Sequence, residues 1–310
     1  MKDKRILVTG SHGFLGRHLI RRLQADGYSK ILSPIRGVHD LTQQMEVRWL
    51  FDYFRPEIVI NLAAVIGGIG ANRARPADFL YGNTMMGLEV MHRAHERGVE
   101  KFVQIGSACI YPRDCSLPFK EENIWDGYPE GTNAPYAIAK RILLEQAQAY
   151  RKQYGFNAIY LIPTNLYGPG DNFNPETSHV IPATILRIAE AIHERQPYIT
   201  VWGTGNATRD FLYVEDCVDG IVRALETYDG SEPINLGSGR EVRVHDMVNE
   251  AAILMGFIGS VIYDSVHPDG QPRRLLDCTR AKEKLGFSAQ TDLHSGLEKT
   301  IQWWRGQCQK

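Results

Sequence analysis

The sequence predicts an α/β fold with a doubly wound parallel sheet, because two kinds of segment alternate along its first half. Short β-branched runs have the continuous apolar character of strands buried on both faces; they lie at 5–9, 31–35, 57–63, 102–107 and 158–162. Amphipathic stretches that predict helices lie between them, at 13–26, 41–54, 84–98 and 136–154. Such alternation gives parallel strands joined by right-handed crossovers.

The first predicted strand runs directly into a glycine-rich turn, which a helical pattern follows. The turn reads Gly10, Ser11, His12, Gly13, Phe14, Leu15 and Gly16. Its G-x-x-G-x-x-G spacing is related to G-x-G-x-x-G, in which glycines let backbone N–H groups approach a pyrophosphate at a helix N-terminus. A strand–helix turn without a ligand is the alternative, but the position after the first strand favours a Rossmann-type dinucleotide site.

The end of the second predicted strand favours NADP(H) over NAD. An NAD site usually has a carboxylate there for the ribose 2′-hydroxyl, whereas this strand ends in Ser33-Pro34-Ile35-Arg36. Arg36 is predicted to bind a 2′-phosphate through charge-assisted contacts, the alternative being a solvated loop residue. Strand order puts further predicted contacts beside the adenine and along the dinucleotide: Asp40, Leu41, Leu62, Ala63 and Ala64.

Composition and charge narrow the class of partner. The net charge is −1, which gives no general attraction for nucleic acid or a membrane surface. No apolar run reaches the roughly 18 residues that a membrane helix requires. The five cysteines, at 109, 115, 217, 278 and 308, form no C-x-x-C pair. We therefore expect a cytoplasmic protein with reduced thiols, no metal site, and neither nucleic-acid nor membrane partners.

The amino-acid composition of the chain changes near residue 165. The segment 165–179 is rich in glycine, proline and asparagine, and a long irregular segment in a compact chain is typical of a binding loop. We predict a dinucleotide-binding domain over 1–165. Residues 166–310 are predicted to form mainly a smaller substrate-binding region, with some segments returning to the first domain.

A serine, a tyrosine and a lysine form the predicted catalytic set. Ser107 ends the fourth predicted strand, and Tyr136 and Lys140 are four residues apart at the start of a helical pattern. Residues i and i+4 share one face of a helix, so we expect the ammonium to lower the pKa of the phenol for proton transfer. Ser107 is expected to hydrogen-bond a substrate oxygen.

These motifs resemble the extended short-chain dehydrogenase/reductase family that acts on nucleotide sugars, over nearly the full chain. Four stretches are similar to the GDP-L-fucose synthases within it, at 61–83, 106–112, 132–140 and 163–183. The resemblance implies NADPH-dependent 3,5-epimerisation and 4-reduction of a GDP-4-keto-6-deoxy sugar. Dehydratases of this fold have an Asp-Glu pair just after the catalytic serine or threonine; Ala108 and Cys109 stand there in this chain.

The resemblance also assigns roles to particular residues. Cys109 and His179 are implied as the base and acid of epimerisation, beside Ser107, Tyr136 and Lys140. The C3 and C5 hydrogens are acidic because they flank the C4 ketone, so each must leave one face and return to the other. Further cofactor contacts are implied at Pro163, Asn165, Leu166 and His179, in addition to Tyr136 and Lys140.

A nearly neutral protein must concentrate cations locally to bind a nucleotide diphosphate. The resemblance implies substrate contacts at Ser107, Asn165, Arg187, Trp202, Arg209 and Arg274. Arg187 lies in a helical pattern, so an ordinary surface charge is its alternative. A homodimer through the helices at 84–98 and 136–154 is also implied.

Two other functions stay open at this point. One is that of a relative that acts on another 4-keto sugar, such as a GDP-heptose, or that catalyses only one of the two steps. A non-catalytic NADP-sensing module is disfavoured because Ser107, Tyr136 and Lys140 are all present.

Overall fold

The computed structural model describes residues 1–35 and 37–308, and its strands and helices alternate along the chain. The strands are β1 (Ile6–Thr9), β2 (Ile31–Leu32), β3 (Ile58–Asn61), β4 (Lys101–Ile105), β5 (Ala158–Pro163), β6 (Asn165–Tyr167), β7 (Tyr198–Trp202), β8 (Thr208–Tyr213), β9 (Ile234–Leu236), β10 (Glu241–Arg243) and β11 (Ser260–Asp264). The helices are α1 (Phe14–Ala25), α2 (Gln44–Phe54), α3 (Ile69–Ala74), α4 (Pro76–Glu96), α5 (Ala134–Tyr154), α6 (Val180–Glu194), α7 (Val214–Thr227), α8 (Val244–Met255), α9 (Thr279–Leu285) and α10 (Leu293–Cys308).

The central sheet is parallel and has the strand order β2-β1-β3-β4-β5-β9. The chain moves outward from β1 to β2 and then returns across β1 to β3. The order therefore reverses between β1 and β3, and ligands of open α/β sheets bind at the carboxyl ends of strands at such a switch point. Thr9 and Asn61 end the two strands there, as register partners. The predicted doubly wound α/β fold is confirmed.

Two apolar cores cover the two faces of this sheet, because successive side chains of a buried strand point to opposite faces. Ile6 and Val8 of β1 lie in one core with residues of α1 and α7. Leu7 lies in the other, with residues of α2 and α4. α7 and β9 come from the C-terminal half, so residues beyond 165 complete both a face and an edge of the central sheet.

The rest of the C-terminal half has its own core. Apolar residues of α6, α8 and α10 pack against β7 and β8 there, among them Ile185, Met247 and Leu297. Two small sheets accompany them, with the orders β10-β8-β6 and β11-β7. β6 follows β5 after a single residue, Thr164, so the polypeptide passes directly from the central sheet into this second region.

Several element boundaries differ from the sequence prediction for local reasons. β2 is shorter than 31–35 because Pro34 has no N–H to donate to a ladder. α2 begins at Gln44, not 41, because the Asp40 carboxylate accepts hydrogen bonds from Thr42 and forms a turn. α4 begins at Pro76, not 84, since proline is favoured in a first helical turn. The sequence prediction missed α3 altogether.

Two further observations concern the described helices and cysteines. None of the described helices has the length and apolarity that crossing a membrane requires. Cys109, Cys115, Cys217 and Cys278 are free thiols.

Candidate active site

The glycine-rich turn joins β1 to α1 through close backbone contacts. Gly10 adopts φ +65°, and a Cβ there would lie 2.9 Å from the backbone N of Ala63. A Cβ on Gly16 would lie 2.2 Å from the carbonyl O of Gly10. Both distances are too short for any side chain, so these glycines let the turn, the helix and the end of β3 come together.

The first turn of α1 suits a bound pyrophosphate. Gly13 is its N-cap and provides no side-chain hydrogen bond, and the first turn contains no acidic residue. The N–H groups of a helix start carry partial positive charge that favours anions. Ser11 is buried, and its hydroxyl lies 3.1 Å from Nδ1 of the exposed His12.

The other predicted cofactor residues surround this turn at different depths. Leu62, Ala63 and Ala64 follow β3 and are half-buried, and Ala63 donates its N–H to the Thr9 hydroxyl at 3.2 Å. Leu41 packs into the core beneath α2. The hydrogen bonds that Thr42 donates to the Asp40 carboxylate lower the pKa of that carboxyl group. Arg36, predicted to bind the 2′-phosphate, lies outside the described residues.

Pro163, Asn165 and Leu166 lie where the central sheet passes into the second region. Pro163 ends β5 and is buried, while Asn165 and Leu166 begin β6 and are half-buried. The Asn165 amide donates to the carbonyl of Asp210 at 3.0 Å. The side-chain carbonyl of Asn165 accepts a hydrogen bond from the Arg274 guanidinium. This asparagine therefore joins β6 to β8 and to a predicted substrate residue.

A buried polar ladder crosses the carboxyl ends of β1, β3 and β4. The Thr9 hydroxyl donates to Asn61 at 2.5 Å, and the Asn61 amide donates to Gln104 at 2.9 Å. The Gln104 amide in turn donates to the carbonyl of Ile105 at 2.9 Å, which also accepts from Lys140 Nζ at 3.1 Å. The ladder thus links the end of β1 to the predicted catalytic lysine.

Ser107, Tyr136 and Lys140 lie together beyond β4. The Lys140 Nζ is 5.8 Å from the centroid of the Tyr136 ring, and the edge of Phe79 packs against that ring. Burial raises the pKa of Tyr136, Cys109 raises it further, and a hydrogen bond to Ser107 opposes the rise. Burial lowers the pKa of Lys140 to about 8.

The prediction that Lys140 lowers the phenol pKa is therefore wrong for this structure. The pKa of Tyr136 is raised, because burial removes water from the phenolate. Lys140 is itself buried, and its ammonium is engaged by the Ile105 carbonyl. The phenol consequently stays protonated at neutral pH and is available as a proton donor.

Cys109 lies beside this set, in the short 3₁₀ turn Ala108–Ile110. Its backbone N–H donates to the Ser107 hydroxyl at 3.3 Å, which fixes the thiol next to the serine. The sulfur accepts a hydrogen bond from the Asn133 amide at 3.5 Å. The half-buried thiol influences two neighbours, raising the pKa of Tyr136 and that of Arg209.

His179 is the N-cap of α6, at the end of the long irregular loop. It keeps access to solvent, yet protein surrounds it closely enough for burial to lower its pKa below 6.5. The guanidinium of Arg274 lowers the pKa further. The loop before it is held against the segment after β3, where Gly68 donates its N–H to the Thr177 carbonyl at 3.2 Å.

Two arginines connect His179 to Cys109. Arg209 is half-buried, and its pKa falls to about 9 through loss of solvent first and Arg274 second. Cys109 opposes that fall, so Arg209 interacts with both the thiol and Arg274. Arg274 also lowers the pKa of His179. Electrostatic interactions thus link Cys109 to Tyr136 directly and to His179 through the two arginines, and we name the region of these five residues the recess.

Arg209 also holds the loop that follows β11. Its guanidinium donates to the carbonyls of Asp269 at 2.7 Å and Gln271 at 2.6 Å, and to its neighbour Thr208 at 2.7 Å. Two of its five N–H groups remain for other partners. Arg274 is buried, and its Nε has no hydrogen-bond partner among the described residues.

Arg187 and Trp202 form a separate group with His267. Trp202 is half exposed and stacks on His267, with ring centroids 4.2 Å apart and an interplanar angle of 11°. The Arg187 guanidinium lies 5.8 Å from the Trp202 ring centroid, and burial lowers its pKa. Nδ1 of His267 lies 2.9 Å from the Asp264 carboxylate, which orients the ring.

Sequence reasoning missed two residues that contact the predicted set. Asn133 precedes α5, where asparagine is a common helix-start signal, but the sequence does not reveal the target of its side chain. His267 contacts Trp202 from a distant segment, and no local pattern indicates such a pairing. Across 1–35 and 37–308, His, Cys, Asp and Glu form no cluster of three or more that could hold a metal ion.

A serine, a tyrosine and a lysine meet at the carboxyl edge of a doubly wound sheet whose first turn is rich in glycine. This arrangement defines the class of the extended short-chain dehydrogenase/reductases. Comparison with known proteins identifies the family within that class. The chain belongs to the NAD dependent epimerase/dehydratase family, whose sequence model matches residues 6–237.

Individual relatives extend the similarity to nearly the full chain. The chain is 40% identical to GDP-L-fucose synthase 1 of Arabidopsis thaliana over 303 residues, covering 98% of this chain and 94% of that protein. It also resembles the crystal structure of a GDP-6-OMe-4-keto-L-xylo-heptose reductase from C. jejuni, with a TM-score of 0.94, 26% identity and 99% coverage of both chains. A GDP-L-fucose synthetase from Naegleria fowleri bound to NADP gives a TM-score of 0.89 at 26% identity, covering 100% of this chain and 96% of that one.

Proposed function

We propose that this protein catalyses the NADPH-dependent 3,5-epimerisation and 4-reduction of GDP-4-keto-6-deoxymannose to GDP-L-fucose. The observation that carries the proposal is the placement of Cys109 beside Ser107 and Tyr136, together with its electrostatic link to His179. Cys109 raises the pKa of Tyr136, and Arg209 and Arg274 connect Cys109 to His179. The 40% identity to a GDP-L-fucose synthase over nearly the whole chain supports the same substrate class.

Epimerisation uses the thiol and the imidazole. The Cys109 thiolate removes the acidic proton at C3 or C5, and protonated His179 returns a proton to the opposite face of the ring. Because its pKa is lowered, the protonated imidazole gives up its proton readily. The Arg209 guanidinium and Cys109 interact electrostatically.

Reduction uses the phenol and the lysine. Tyr136 starts protonated and donates its proton to the oxyanion that forms at C4, while Ser107 hydrogen-bonds the same oxygen. Preorganised donors directed at a developing charge supply much of the stabilisation in such steps. The Lys140 ammonium, held by the Ile105 carbonyl, then stabilises the phenolate.

The residues around the glycine-rich turn fit NADP(H). The first turn of α1 has neither a capping side chain nor an acidic residue to compete with a pyrophosphate. Gly10 and Gly16 keep the turn tight. Bound NADPH supplies the hydride that reduces C4. We keep Arg36 as the predicted partner of the 2′-phosphate.

The nucleotide diphosphate is assigned to the cationic side of the recess. The unpartnered Nε of Arg274 and the two remaining N–H groups of Arg209 are donors for phosphate oxygens. Arg187 and Trp202, farther out, offer a cation and an aromatic face to the rest of the nucleotide. On this assignment residues from 166 onward supply most of the substrate contacts.

A substrate panel tests the function. The purified protein is incubated with NADPH and a set of nucleotide-linked 4-keto sugars, and the absorbance of NADPH and the product stereochemistry are followed. The proposal expects consumption of NADPH with GDP-4-keto-6-deoxymannose and formation of GDP-L-fucose. NADPH consumption that gives only the 4-reduced sugar without inversion would contradict it.

Reduction or epimerisation of a GDP-heptose is the second candidate, favoured by the TM-score of 0.94 to the heptose reductase. The same panel distinguishes the two, because this candidate expects faster turnover of a 4-keto-heptose than of the 6-deoxy sugar.

We also propose a homodimer formed through α4 and α5. Both helices carry exposed apolar residues, among them Leu80, Tyr81 and Ile142. A cytoplasmic location is proposed with it, because a catalytic thiol requires a reducing compartment.

A further inference from the structure

Asn133 occupies the N-cap of α5 without using its side chain as a cap. Asparagine is among the residues favoured there because its carbonyl accepts a hydrogen bond from the first helical turn. In this structure the N-cap makes no side-chain hydrogen bond to the helix. Its backbone still performs the usual role, since the Asn133 carbonyl accepts from the Ala137 N–H at 3.0 Å.

The side chain is directed at the sulfur of Cys109 instead. Its Nδ2 donates to Cys109 Sγ at 3.5 Å, a normal length for a hydrogen bond to sulfur. Its Oδ1 is buried and has no partner among the described residues. A buried carbonyl without a partner lowers stability. This cost indicates that the orientation of the side chain serves its contact with the sulfur.

The charges around the thiol determine what such a contact can do. Cys109 interacts electrostatically with Arg209 on β8 and with Tyr136 on α5, and Arg209 also interacts with Glu130 in the loop before α5. An amide N–H pointing at the sulfur adds a favourable contact for the thiolate and fixes its direction. A neutral donor also keeps this effect at every pH at which the thiol titrates.

We propose that Asn133 is a positioning residue that holds and stabilises the Cys109 thiolate through its amide group. The proposal rests on the proposed function for its catalytic meaning, since the thiolate is the base of epimerisation. Asn133 neither gives nor takes a proton. Asn133 is the N-cap of α5, the helix that carries Tyr136. The same helix therefore positions the base of epimerisation and carries the acid of reduction.

Alkylation by iodoacetamide tests the contact without a substrate. Trypsin releases the segment 102–113, in which Cys109 is the single cysteine, so mass spectrometry follows this thiol alone. Asn133→Ser keeps a residue favoured at N-caps but withdraws the amide, and Asn133→Asp replaces the donor with a carboxylate. We expect the pH midpoint of Cys109 alkylation to rise by about one unit in the serine variant, and by more in the aspartate variant.

Asn123→Ser is the matched control, because the Asn123 amide donates to Asp126 at 2.8 Å and not to the thiol. It should leave the midpoint unchanged. With GDP-4-keto-6-deoxymannose, the Asn133→Ser enzyme should exchange C3 and C5 hydrogens with solvent about tenfold more slowly at neutral pH, and recover at higher pH. Its affinity for NADPH should match that of the wild type.

Either of two outcomes would overturn the proposal. One is an unchanged midpoint, with or without a loss of thermal stability. The other is a lower midpoint, which would mean that the carbonyl faces the thiol. Absence of solvent exchange in the wild-type enzyme would instead contradict the proposed function. The alkylation series would still decide the role of Asn133.

Discussion

At Tyr136, burial favours the protonated phenol, which is the form that its proposed role as a proton donor requires. Burial raises the pKa of the phenol, so it begins the reductive step protonated, which is the form that a proton donor needs. Lys140 has a pKa of about 8 because burial disfavours its ammonium. The charge that stabilises the phenolate is therefore present near neutral pH and is lost as the pH rises.

Removing the phenol hydroxyl should separate the two steps. Tyr136→Phe is expected to reduce NADPH consumption by at least about a hundredfold, the lower end of what a general acid contributes. Solvent exchange at C3 and C5 should persist, because Cys109 and His179 remain. Equal loss of both activities would contradict this division of roles. NADPH absorbance and proton NMR of the substrate in D₂O measure them.

The lowered pKa of Lys140 predicts how the rate of NADPH oxidation depends on pH. kcat/KM for NADPH oxidation should fall as pH rises through about 8, where Lys140 loses its proton. Lys140→Arg keeps its charge above that pH, so its rate, though lower, should not show the decline there. A decline at the same pH in both enzymes would assign the titration to another group.

At the scale of elements, the β1–α1 turn depends on two glycines. Gly10 approaches the backbone after β3, and Gly16 approaches the carbonyl of Gly10. The polar ladder from Thr9 to Lys140 runs along the same edge of the sheet. The β1–α1 turn and α5, which carry the proposed cofactor and catalytic residues, are therefore joined by hydrogen bonds as well as by packing.

Gly16→Ala should disrupt this turn. Its Cβ would lie 2.2 Å from the Gly10 carbonyl, so the backbone must move. We expect at least about tenfold weaker NADPH binding and a cost of about 1–3 kcal/mol in stability. Gly306→Ala, in α10 with open space around it, is the control and should be neutral or slightly stabilising. Fluorescence titration and thermal unfolding measure both; unchanged NADPH affinity in Gly16→Ala would contradict the account.

The local sequence predicts some of these elements but not all of the contacts between them. β1, β3, β4 and β5 were predicted from β-branched runs, because strands buried on both faces are apolar along their whole length. The glycine spacing likewise predicted the β1–α1 turn. In contrast, the sequence does not indicate that Asn133 turns from its helix to Cys109, since that contact joins two elements.

The same limit applies to Lys140 and Arg209. The spacing from Tyr136 correctly predicted a shared helix face, but the direction of the phenol pKa depends on burial, which is a tertiary property. The sequence likewise does not show that Arg209 donates to three carbonyls and holds the 269–271 loop.

At the scale of the whole molecule, the two halves of the chain share one core. Residues of α7, including Val218, Ile221 and Leu225, pack in the same cluster as Ile6 and Val8 of β1. β9 forms the last strand of the central sheet. The recess lies where this sheet meets the second region, and both supply residues to it.

A fragment that ends at residue 165 should therefore fail to fold. It would lack α7 and β9 and expose the face of the sheet that α7 covers. We expect circular dichroism to show no cooperative thermal transition, whereas the full chain should show one. A cooperative transition in the fragment would mean that the first domain is independent of the rest.

The most direct test of the account is the fate of the C3 and C5 hydrogens during turnover. In D₂O, with NADPH and GDP-4-keto-6-deoxymannose, the wild-type protein should form GDP-L-fucose carrying deuterium at both carbons. The Cys109→Ser enzyme should bind NADPH normally but incorporate little deuterium. A reduced product that retains its original hydrogens at C3 and C5 would contradict the convergence of thiol, imidazole and phenol on one substrate.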